Sequence, residues 1–444
     1  MNNYDYVQIV NSVNKEMNGM YDYKFPIFED NNFKAMSAAL VNAPDIVKNA
    51  YVETMINTVT AGVIKKIYSA NNIFKFLYGR GVSSEQVAGI EKQGIKIEYA
   101  LDRFIPAAYK KSADPEKFFE SMPPKVKTQV LWNVLRKVYT FSVNRHLLIA
   151  AFNEMGGVEN LLDKALQRLY ADMEEDDKEE ILAALDGVVE GGNMYLLPIT
   201  RPTDSQSALA FSKELDILQF DLGFNRSRDY NLQRLSTKTA QEDAVLMLSA
   251  DVMATNTNYN LAFAFNKSYI DLMNKGQLIR LGSKGLADNK VYGIYTDTDY
   301  FRINNVEGFP TAEGWFNPQN LEEKRWVHNW KAVTFSYASN AIAFVDPTDV
   351  GVASVAITLD GVGDSITAKK GTWHAVDMPK VTAAAGKICD SFCNFTLTGN
   401  TSANTYIDDD GSFYVGSDET GTLTITATSH LDSSVTGTAT VTVA

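Results

Sequence analysis

The chain has 444 residues, of which 45% are hydrophobic and 21% charged, as is typical of a folded protein of two or three domains. Its net charge of −13 excludes a generally basic surface that would grip nucleic acid without specificity. The N-terminus lacks a basic region followed by an apolar core, and no uncharged apolar run approaches the roughly 18 residues that span a bilayer. We therefore expect no signal peptide, no membrane partner and synthesis and use in a cytoplasm.

The first 70 residues predict an N-terminal arm with two or three helices. Val7, Val10 and Val13 recur at three-residue spacing, and a second apolar stripe at helical spacing follows Pro44. These stripes are expected to pack the arm against a larger body.

Residues 71–150 mix charged residues with strand-like segments at 74–78 and 95–99. The apolar residues of 130–143 have helical spacing, although 138–143 also suits a strand. Two interpretations stay open: an extended arm that reaches a neighbouring subunit, or an ordinary solvated subdomain. For the first interpretation, the candidate intersubunit contacts are Arg80, Glu91, Lys92, Glu98, Lys110 and Lys111.

The clearest predicted helix covers residues 158–187, where apolar residues repeat at three and four positions. The acidic run 174–180 interrupts this repeat, and it is either a solvated face or a break between two helices. Glu174 and Lys178 are spaced for a favourable pair on one helix face. Because no histidine accompanies these carboxylates, a metal site is disfavoured.

Residues 193–330 alternate strand and helix signals, which indicates a mixed α+β class. Thr203-Asp-Ser-Gln-Ser is a helix-start signal for a helix at 208–218. A further helix is predicted near 268–273. Strands are predicted at 193–200, 243–251, 278–281, 291–295 and 300–303.

A long closing strand is predicted within 326–345. Val333, Phe335 and Tyr337 alternate with polar or small residues, as in a strand with one buried face. From Ala341 to Val345 every residue is apolar, which indicates burial on both faces. Asp346-Pro347 ends the strand because proline cannot donate a ladder hydrogen bond.

The strongest domain boundary in the chain follows this strand. Residues 347–444 hold four lysines and no arginine against ten aspartates and one glutamate, a net charge of −7, whereas the other 346 residues carry −6. Threonines alternate with aliphatic residues in short segments separated by turns such as 408–411 and 418–421, which is a β-sandwich pattern. Cys389 and Cys393 are expected to be free thiols in a reducing compartment.

No motif for catalysis, metal binding or cofactor binding is found in the sequence. The histidines are scattered, Gly386-Lys387 lacks the rest of a phosphate-binding loop, and no serine nucleophile elbow is present. Asp408-Asp-Asp-Gly411 has the wrong spacing for a calcium loop and favours a hairpin turn. The sequence therefore predicts no enzyme and no cofactor.

The order of these parts resembles the major capsid protein of small, short-tailed, picovirus-type phages. The segments that carry the resemblance are Arg201-Pro-Thr-Asp-Ser-Gln-Ser-Ala-Leu209, Ser227-Arg-Asp-Tyr-Asn231, Glu242-Asp243 leading to Ser249-Ala-Asp251, Ala262-Phe-Ala-Phe-Asn266 and Asn340-Ala-Ile-Ala-Phe-Val345. The C-terminal region resembles bacterial Ig-like (group two) modules.

This resemblance implies the Hong Kong 97-type capsid fold followed by an all-β Ig-like sandwich. By this analogy residues 1–70 are the N-terminal arm, 71–150 contain the extended loop, and 151–348 form the peripheral and axial domains. Residues 158–187 would be the spine helix, about 203–300 the axial domain, 326–345 a return to the peripheral sheet, and 349–444 the Ig-like domain.

The implied function is self-assembly into an icosahedral or prolate phage head around double-stranded DNA that is not tightly or specifically bound. The implied partners are many copies of the chain, a scaffolding protein and a portal, with external contacts made by the Ig-like domain. The implied location is the virion, with assembly in the host cytoplasm. Two other classes stay open: a tail or fibre component of a virion, and a surface adhesin with an Ig-like module.

Overall fold

The fold is taken from a computed structural model with side chains. It describes residues 3–21, 23–27, 33–44, 46–48, 50–51, 54, 95–102, 126–132, 134–144, 157–224, 226–255, 277–282, 286–305, 311–317 and 322–444. The longest helices within these ranges are α1 (Asn3–Met20), α2 (Phe33–Asn42), α3 (Gly157–Glu190) and α4 (Ser205–Phe224).

Eleven strands of the described chain precede the boundary in composition, and nine follow it. The first group is β1 (Ile95–Leu101), β2 (Val126–Trp132), β3 (Val134–Asn144), β4 (Tyr195–Pro198), β5 (Ala244–Leu248), β6 (Gln277–Arg280), β7 (Val291–Asp297), β8 (Phe301–Asn305), β9 (Thr311–Asn317), β10 (Glu322–Phe335) and β11 (Ala341–Val345). The second group is β12 (Val352–Ala356), β13 (Ser365–Ala368), β14 (Thr372–Ala375), β15 (Lys380–Ala383), β16 (Cys393–Thr398), β17 (Tyr406–Ile407), β18 (Ser412–Val415), β19 (Thr422–Ser429) and β20 (Thr436–Val443).

The chain divides into two compact units, each built from three stretches of sequence. The first contains the described residues of Met1–Ile95, Trp132–Ile181 and Ile303–Val333. The second contains those of Lys96–Leu131, Leu182–Arg302 and Thr334–Ala444.

In the first unit, α1 confirms the predicted N-terminal helix. Val10, Val13 and Met17 are buried along one face, and the buried Asn14 side chain accepts a hydrogen bond from Tyr51 Oη at 2.8 Å. The helix predicted after Pro44 is only partly within the described residues, and the predicted strand at 74–78 lies outside them.

The main sheet of the first unit contains β3, β10 and β8, with β9 also paired to β10. β10 runs antiparallel to β3, with Glu322 opposite Asn144 and Ala332 opposite Val134. The strand alternative for 138–143 is therefore confirmed, and the helical spacing of 130–143 is misleading. Burial along β3 alternates every second residue, because successive side chains point to opposite faces of a strand.

The predicted helix at 158–187 is confirmed by α3, which runs without a break through the acidic segment. Its described buried positions recur every four residues: Leu169, Met173, Asp177, Ile181, Leu185 and Val189. The sequence predicted either a solvated face or a break between two helices at 174–180. Both predictions are wrong at Asp177, which lies on the buried face of an unbroken helix. The predicted Glu174–Lys178 pair is also wrong, because Lys178 Nζ contacts Glu175 at 3.3 Å.

The second unit contains a five-stranded sheet of order β4-β11-β7-β5-β6. β11 is parallel to β4 and antiparallel to β7, while β5 is antiparallel to β7 and parallel to β6. Every residue of β5 and β11 is buried, as their apolar sequences predict. Gly293 on β7 has no room for a side chain, because a Cβ would lie 2.7 Å from Leu248 Cδ2.

Helix α4 packs on this sheet and confirms the predicted helix at 208–218, although it is longer at both ends and begins within the predicted start signal. Asp204 caps it by accepting hydrogen bonds from the Ser207 amide at 2.8 Å and the Ser207 hydroxyl at 2.9 Å. The Ser207 hydroxyl in turn accepts the Asp204 amide at 3.1 Å, a reciprocal capping arrangement. The buried face of α4 contacts Leu246, Tyr292 and Phe344 in one apolar cluster.

The predicted closing strand at 326–345 is wrong as a single element. β10 ends at Phe335 and β11 begins at Ala341, and the two strands belong to different sheets. Asn340, in the turn between them, bonds to Thr237 at 2.8 Å and Thr239 at 3.0 Å. These side-chain bonds satisfy buried polar groups of the turn outside the β10 ladder. Tyr337, which the sequence places on the same strand face as Val333 and Phe335, lies beyond the end of β10.

Residues after the boundary form three small sheets: β12-β15, β13-β20-β19-β16 and β14-β18-β17. The predicted short strands of this region are confirmed, and threonines alternate with apolar residues in β16, β19 and β20. One apolar cluster, which includes Leu359, Phe413, Ile425 and Val441, lies among these strands. Residues 408–411 form the predicted turn between β17 and β18.

Candidate functional site

The strands β1 and β2, each seven residues long, pair as a two-stranded ribbon within the region predicted to hold the extended arm. Residues 103–125, which connect them, lie outside the described part of the chain. Gln129 holds the ribbon to the segment after β10: its amide nitrogen donates to the Phe335 carbonyl at 2.9 Å, and its carbonyl accepts the Tyr337 amide at 2.8 Å. One side chain thus bonds both polar groups of a short backbone stretch and positions β2.

Two carboxylates hold the other strand of the ribbon. Glu98 Oε1 accepts from Arg302 Nε at 3.1 Å and Nη2 at 2.7 Å, and both side chains are largely buried. Asp102 accepts from Arg228 Nη2 at 2.8 Å and from the Ser236 amide at 3.1 Å. Charge-assisted bonds of this kind are stronger than neutral ones, so the base of the ribbon is rigidly placed.

The ribbon also contacts the acidic C-terminal region. Lys127 Nζ lies 2.9 Å from Asp410 Oδ2, in the turn between β17 and β18. On β2, Lys127, Gln129 and Leu131 face the protein, whereas Val126, Thr128 and Val130 are exposed. The outer face of β2 therefore exposes two apolar side chains, Val126 and Val130.

In the first unit, three carboxylates in the acidic run of α3 contact side chains of β3 and β10. Asp177 forms an ion pair with Lys331 of β10, and both side chains are almost fully buried. Tyr139 Oη donates to Asp176 at 2.7 Å, and Lys137 Nζ contacts Glu180 at 2.7 Å. These contacts fix the helix on the β3–β10 pair.

Burial and charge shift the pKa values of these partners. Burial lowers the pKa of Lys331, although Asp177 opposes that shift. Burial and the bond to Asp176 raise the pKa of Tyr139. The pKa of Lys137 is raised because Glu180 and Asp176 outweigh its burial. The tyrosine therefore remains a neutral donor at physiological pH.

A second buried polar cluster joins the C-terminal region to the five-stranded sheet of the same unit. Asp390 is fully buried and accepts from the Leu196 amide of β4 at 2.7 Å and the Phe392 amide at 3.2 Å. His430 Nε2 lies 2.6 Å from the same carboxylate, and its ring stacks on Tyr195 at 4.3 Å. Burial raises the pKa of Asp390 against the lowering effect of His430 and the amides.

Arg234 reinforces this junction from the other side. Its guanidinium donates to the Cys393 carbonyl at 3.0 Å and lies 5.2 Å from the ring centroid of Phe392. Cys389 and Cys393 are free thiols, as predicted, and burial raises their pKa values to about 11 and about 12. They are protonated at neutral pH and poorly reactive.

The outer face of the β14-β18-β17 sheet carries an aromatic cluster. Trp373, Tyr414 and Tyr406 occupy one register across the three strands, with ring centroids 5.3 to 6.2 Å apart. Trp373 and Tyr406 are about half exposed. An exposed aromatic group of this size is typical of a surface that contacts another molecule.

Of the six candidate intersubunit residues, Glu98 alone lies within the described residues, and there it bonds Arg302 of the same chain. Arg80, Glu91, Lys92, Lys110 and Lys111 lie outside them. Sequence reasoning missed Lys331, Asp177, Asp390 and His430, whose partners are distant in sequence and carry no local signal.

The described residues hold no group of three His, Cys, Asp or Glu side chains arranged for a metal ion. Within the same ranges no helix is long and apolar enough to cross a membrane.

A family model described as the Phi29-like phage major capsid protein matches residues 10–345. The major capsid protein of Bacillus phage PZA is 25% identical over 424 residues, which cover 95% of this chain and 89% of the relative. That of Bacillus phage GA-1 is 22% identical over 366 residues, covering 76% and 72%. The capsid structure of Staphylococcus phage Andhra aligns with 63% of this chain and 85% of its own, at 13% identity and a TM-score of 0.47, too low to assign the fold.

Proposed function

This chain belongs to the Phi29-like phage major capsid protein family and is a virion structural protein, and we propose that its copies close into an icosahedral or prolate head around double-stranded DNA. The observation that carries the proposal is the family match over residues 10–345, which covers most of the first compact unit and the part of the second that precedes residue 346. In such a head, contacts that are weak singly are repeated over many copies until the shell is stable.

We propose the Hong Kong 97-type fold for the core of the chain. Helix α3 would be the spine helix, lying on the β3–β10 pair as part of the peripheral domain. The five-stranded sheet with α4 would be the axial domain. This assignment divides the closing stretch at 326–345. β10 would belong to the peripheral sheet and β11 to the axial one, and their pairing in separate sheets supports this division.

The ribbon of β1 and β2 would be the base of the extended loop. The loop would bind a neighbouring copy of the chain. Its inner face is anchored by Gln129, Glu98 and Asp102, while Leu101, Val126 and Val130 are exposed outside. A rigid base with an open apolar face suits an arm that binds a neighbour. Glu98 would then serve as an anchor of the arm rather than as an intersubunit contact.

Residues 349–444 would form an Ig-like domain that makes external contacts from the head surface. Its all-β sheets and shared apolar core support the proposal. The aromatic cluster of Trp373, Tyr406 and Tyr414 would be its contact surface. The buried junction around Asp390 would hold the domain in a set orientation on the shell.

The partners would include a scaffolding protein and a portal, with assembly in the host cytoplasm and a final location in the virion. The net charge of −13 supports a head wall that does not grip the packaged DNA tightly. A structural family supports a non-enzymatic role.

The test is negative-stain electron microscopy of the expressed chain, with and without a candidate scaffolding protein encoded beside it. Closed particles, tubes or sheets of uniform thickness are expected in at least one condition. Monodisperse monomers in both would favour the adhesin class, and small rings or trimers would favour a tail or fibre component. Either of these two results would overturn the shell proposal.

A further inference from the structure

Helix α4 has two apolar faces, although a helix on the surface of a monomer needs only one. The face toward the sheet buries Ala208, Phe211, Ser212, Leu215, Leu218 and Leu222. The other face exposes Leu209 and Ile217 by 48% and 45%, and Phe220 and Phe224 by 75% and 85%. We call these four exposed residues the α4 stripe.

The α4 stripe is a separate surface and not the edge of the buried face. At about 100° per residue, Leu209, Phe220, Phe224 and Ile217 fall within an arc of about 80°. The centre of this arc is roughly opposite the centre of the buried face. The stripe extends over most of a helix that is about 30 Å long. Its four apolar residues are therefore aligned on one face of the helix, unlike the scattered single apolar residues that any surface has.

We propose that the α4 stripe is a contact surface for a second copy of this chain in the assembled shell. The inference rests on the proposed function, since it needs a particle in which copies meet. It adds which face of the axial region makes the contact and which side chains carry it.

The charges around the stripe favour a copy of the same chain. Lys213 lies within the arc of the stripe, and Glu214 and Asp221 are exposed beside it. A surface with one cation in an apolar strip and carboxylates along its flank can pair with another such surface without leaving like charges opposed. A strongly charged partner of either sign would meet repulsion from one of these groups.

The size of the stripe also fits a contact that is repeated in a shell. Large apolar side chains bury about 150–250 Å² each, so these partly exposed ones offer on the order of 400 Å². A stable interface needs about 800 Å² per partner. The stripe alone is thus too small to hold a dimer in solution, but it can add to other contacts within a closed particle.

The first experiment compares the wild-type chain with Phe220→Ser/Phe224→Ser under conditions in which the wild type forms particles. Both phenylalanines are exposed, and Ser and Phe have similar helix propensities, so the melting temperature is expected to stay within about 2 °C. The particle yield is expected to fall at least tenfold. The matched control, Val362→Ser/Met378→Ser, also removes two exposed apolar side chains, but outside α4, and should keep the wild-type yield. Equal yields for both double variants would overturn the proposal.

The second experiment identifies the occupant. A photoreactive benzophenone amino acid replaces Phe220, or Val362 as the control position outside α4, and the assembled particles are irradiated and analysed by mass spectrometry. Adducts between two copies of the chain at position 220 and not at 362 would support the proposal. Adducts only to a different protein, such as a scaffolding protein, or no adducts at 220 would overturn it. Either of these adduct results would leave the proposed shell function intact, because the experiment starts from assembled particles. If the wild-type chain formed no particles, the shell function itself would be refuted.

Discussion

Two regions of the molecule stabilise buried carboxylates in different ways. One is helix α3 with the β3–β10 pair in the first unit, and the other is the C-terminal region. Asp177 of α3 is paired with the opposite charge of Lys331, from a strand 154 residues later in the chain. In the C-terminal region, Glu419 is fully buried and is held by neutral donors: the Thr401 amide at 2.9 Å, the Thr401 hydroxyl at 2.6 Å and the Ser402 amide at 3.1 Å.

This difference follows from composition. Residues 347–444 have four lysines for eleven acidic residues, so most carboxylates there cannot find a cation. Threonine and serine hydroxyls and backbone amides take that role, as at Asp418 with Ser402 and Asp432 with Ser434. A Thr-rich acidic region can therefore fold with a net charge of −7, because hydrogen bonds to ionised acceptors are strong without a countercharge.

The largest expected effect on stability comes from breaking the buried ion pair between Asp177 of α3 and Lys331 of β10. Asp177→Ala leaves Lys331 buried without its carboxylate partner and is expected to lower the free energy of unfolding by about 3–5 kcal/mol. Chemical denaturation of the purified chain measures this loss. The matched control is Asp177→Leu/Lys331→Met, which removes both charges and should restore most of the stability. A double variant as unstable as the single one would show that the pair acts through something other than charge.

The next largest effect on stability is expected at Asp390. Its partners are two backbone amides and one histidine, where Asp177 has a lysine. Asp390→Ala leaves the Leu196 and Phe392 amides without their acceptor and is expected to cost about 2–4 kcal/mol. Asp390→Asn keeps one acceptor oxygen and should cost less. Thermal unfolding of both variants tests the junction, and equal losses would mean that the acceptor oxygen kept in Asp390→Asn contributes nothing to its stability.

Glu419 should make the C-terminal region sensitive to acid. Its pKa is lowered from 4.5 to about 2, because the hydrogen bonds from Thr401, Thr405 and Ser402 outweigh the raising effect of burial. A lowered folded-state pKa contributes stability that is present above pH 4.5 and is lost as the pH falls toward 2. Glu419→Gln should therefore lower the melting temperature at pH 7, with a gap to wild type that closes on acidification. Asp409→Asn, a change at an exposed position of the 408–411 turn, is the control. A melting-temperature gap for Glu419→Gln that does not change with pH would contradict the lowered pKa of Glu419.

The smallest effect is expected at an exposed ion pair of the same helix that carries Asp177. Arg168 Nη2 lies 2.9 Å from Asp172 Oδ1 on the solvent side of α3. Arg168→Ala should change the free energy of unfolding by no more than about 0.5 kcal/mol, and less in high salt. Denaturation at two salt concentrations measures it. A loss comparable with that of Asp177→Ala would mean that burial does not separate the two pairs.

Local signals predicted the elements whose residues are neighbours in sequence. The Asp204–Ser207 cap of α4, the repeat of α3 and the apolar run of β11 each depend on a few adjacent side chains, and the structure has all three. The turn at 408–411 was predictable for the same reason. The ambiguity at 138–143 was not resolvable locally, because its pairing partner, β10, comes about 185 residues later.

The sequence by itself determined the alternation of helices and strands, the change of composition at 347 and the family resemblance, since these depend on order and periodicity along the chain. Only the tertiary structure decided that 326–345 serves two sheets, that Asp177 faces inward to Lys331 and that Phe220 and Phe224 are exposed. Each of these depends on which surfaces meet in space. Periodicity records that a face is apolar, but the chain's packing decides whether that face is buried by its own sheet or left for another molecule.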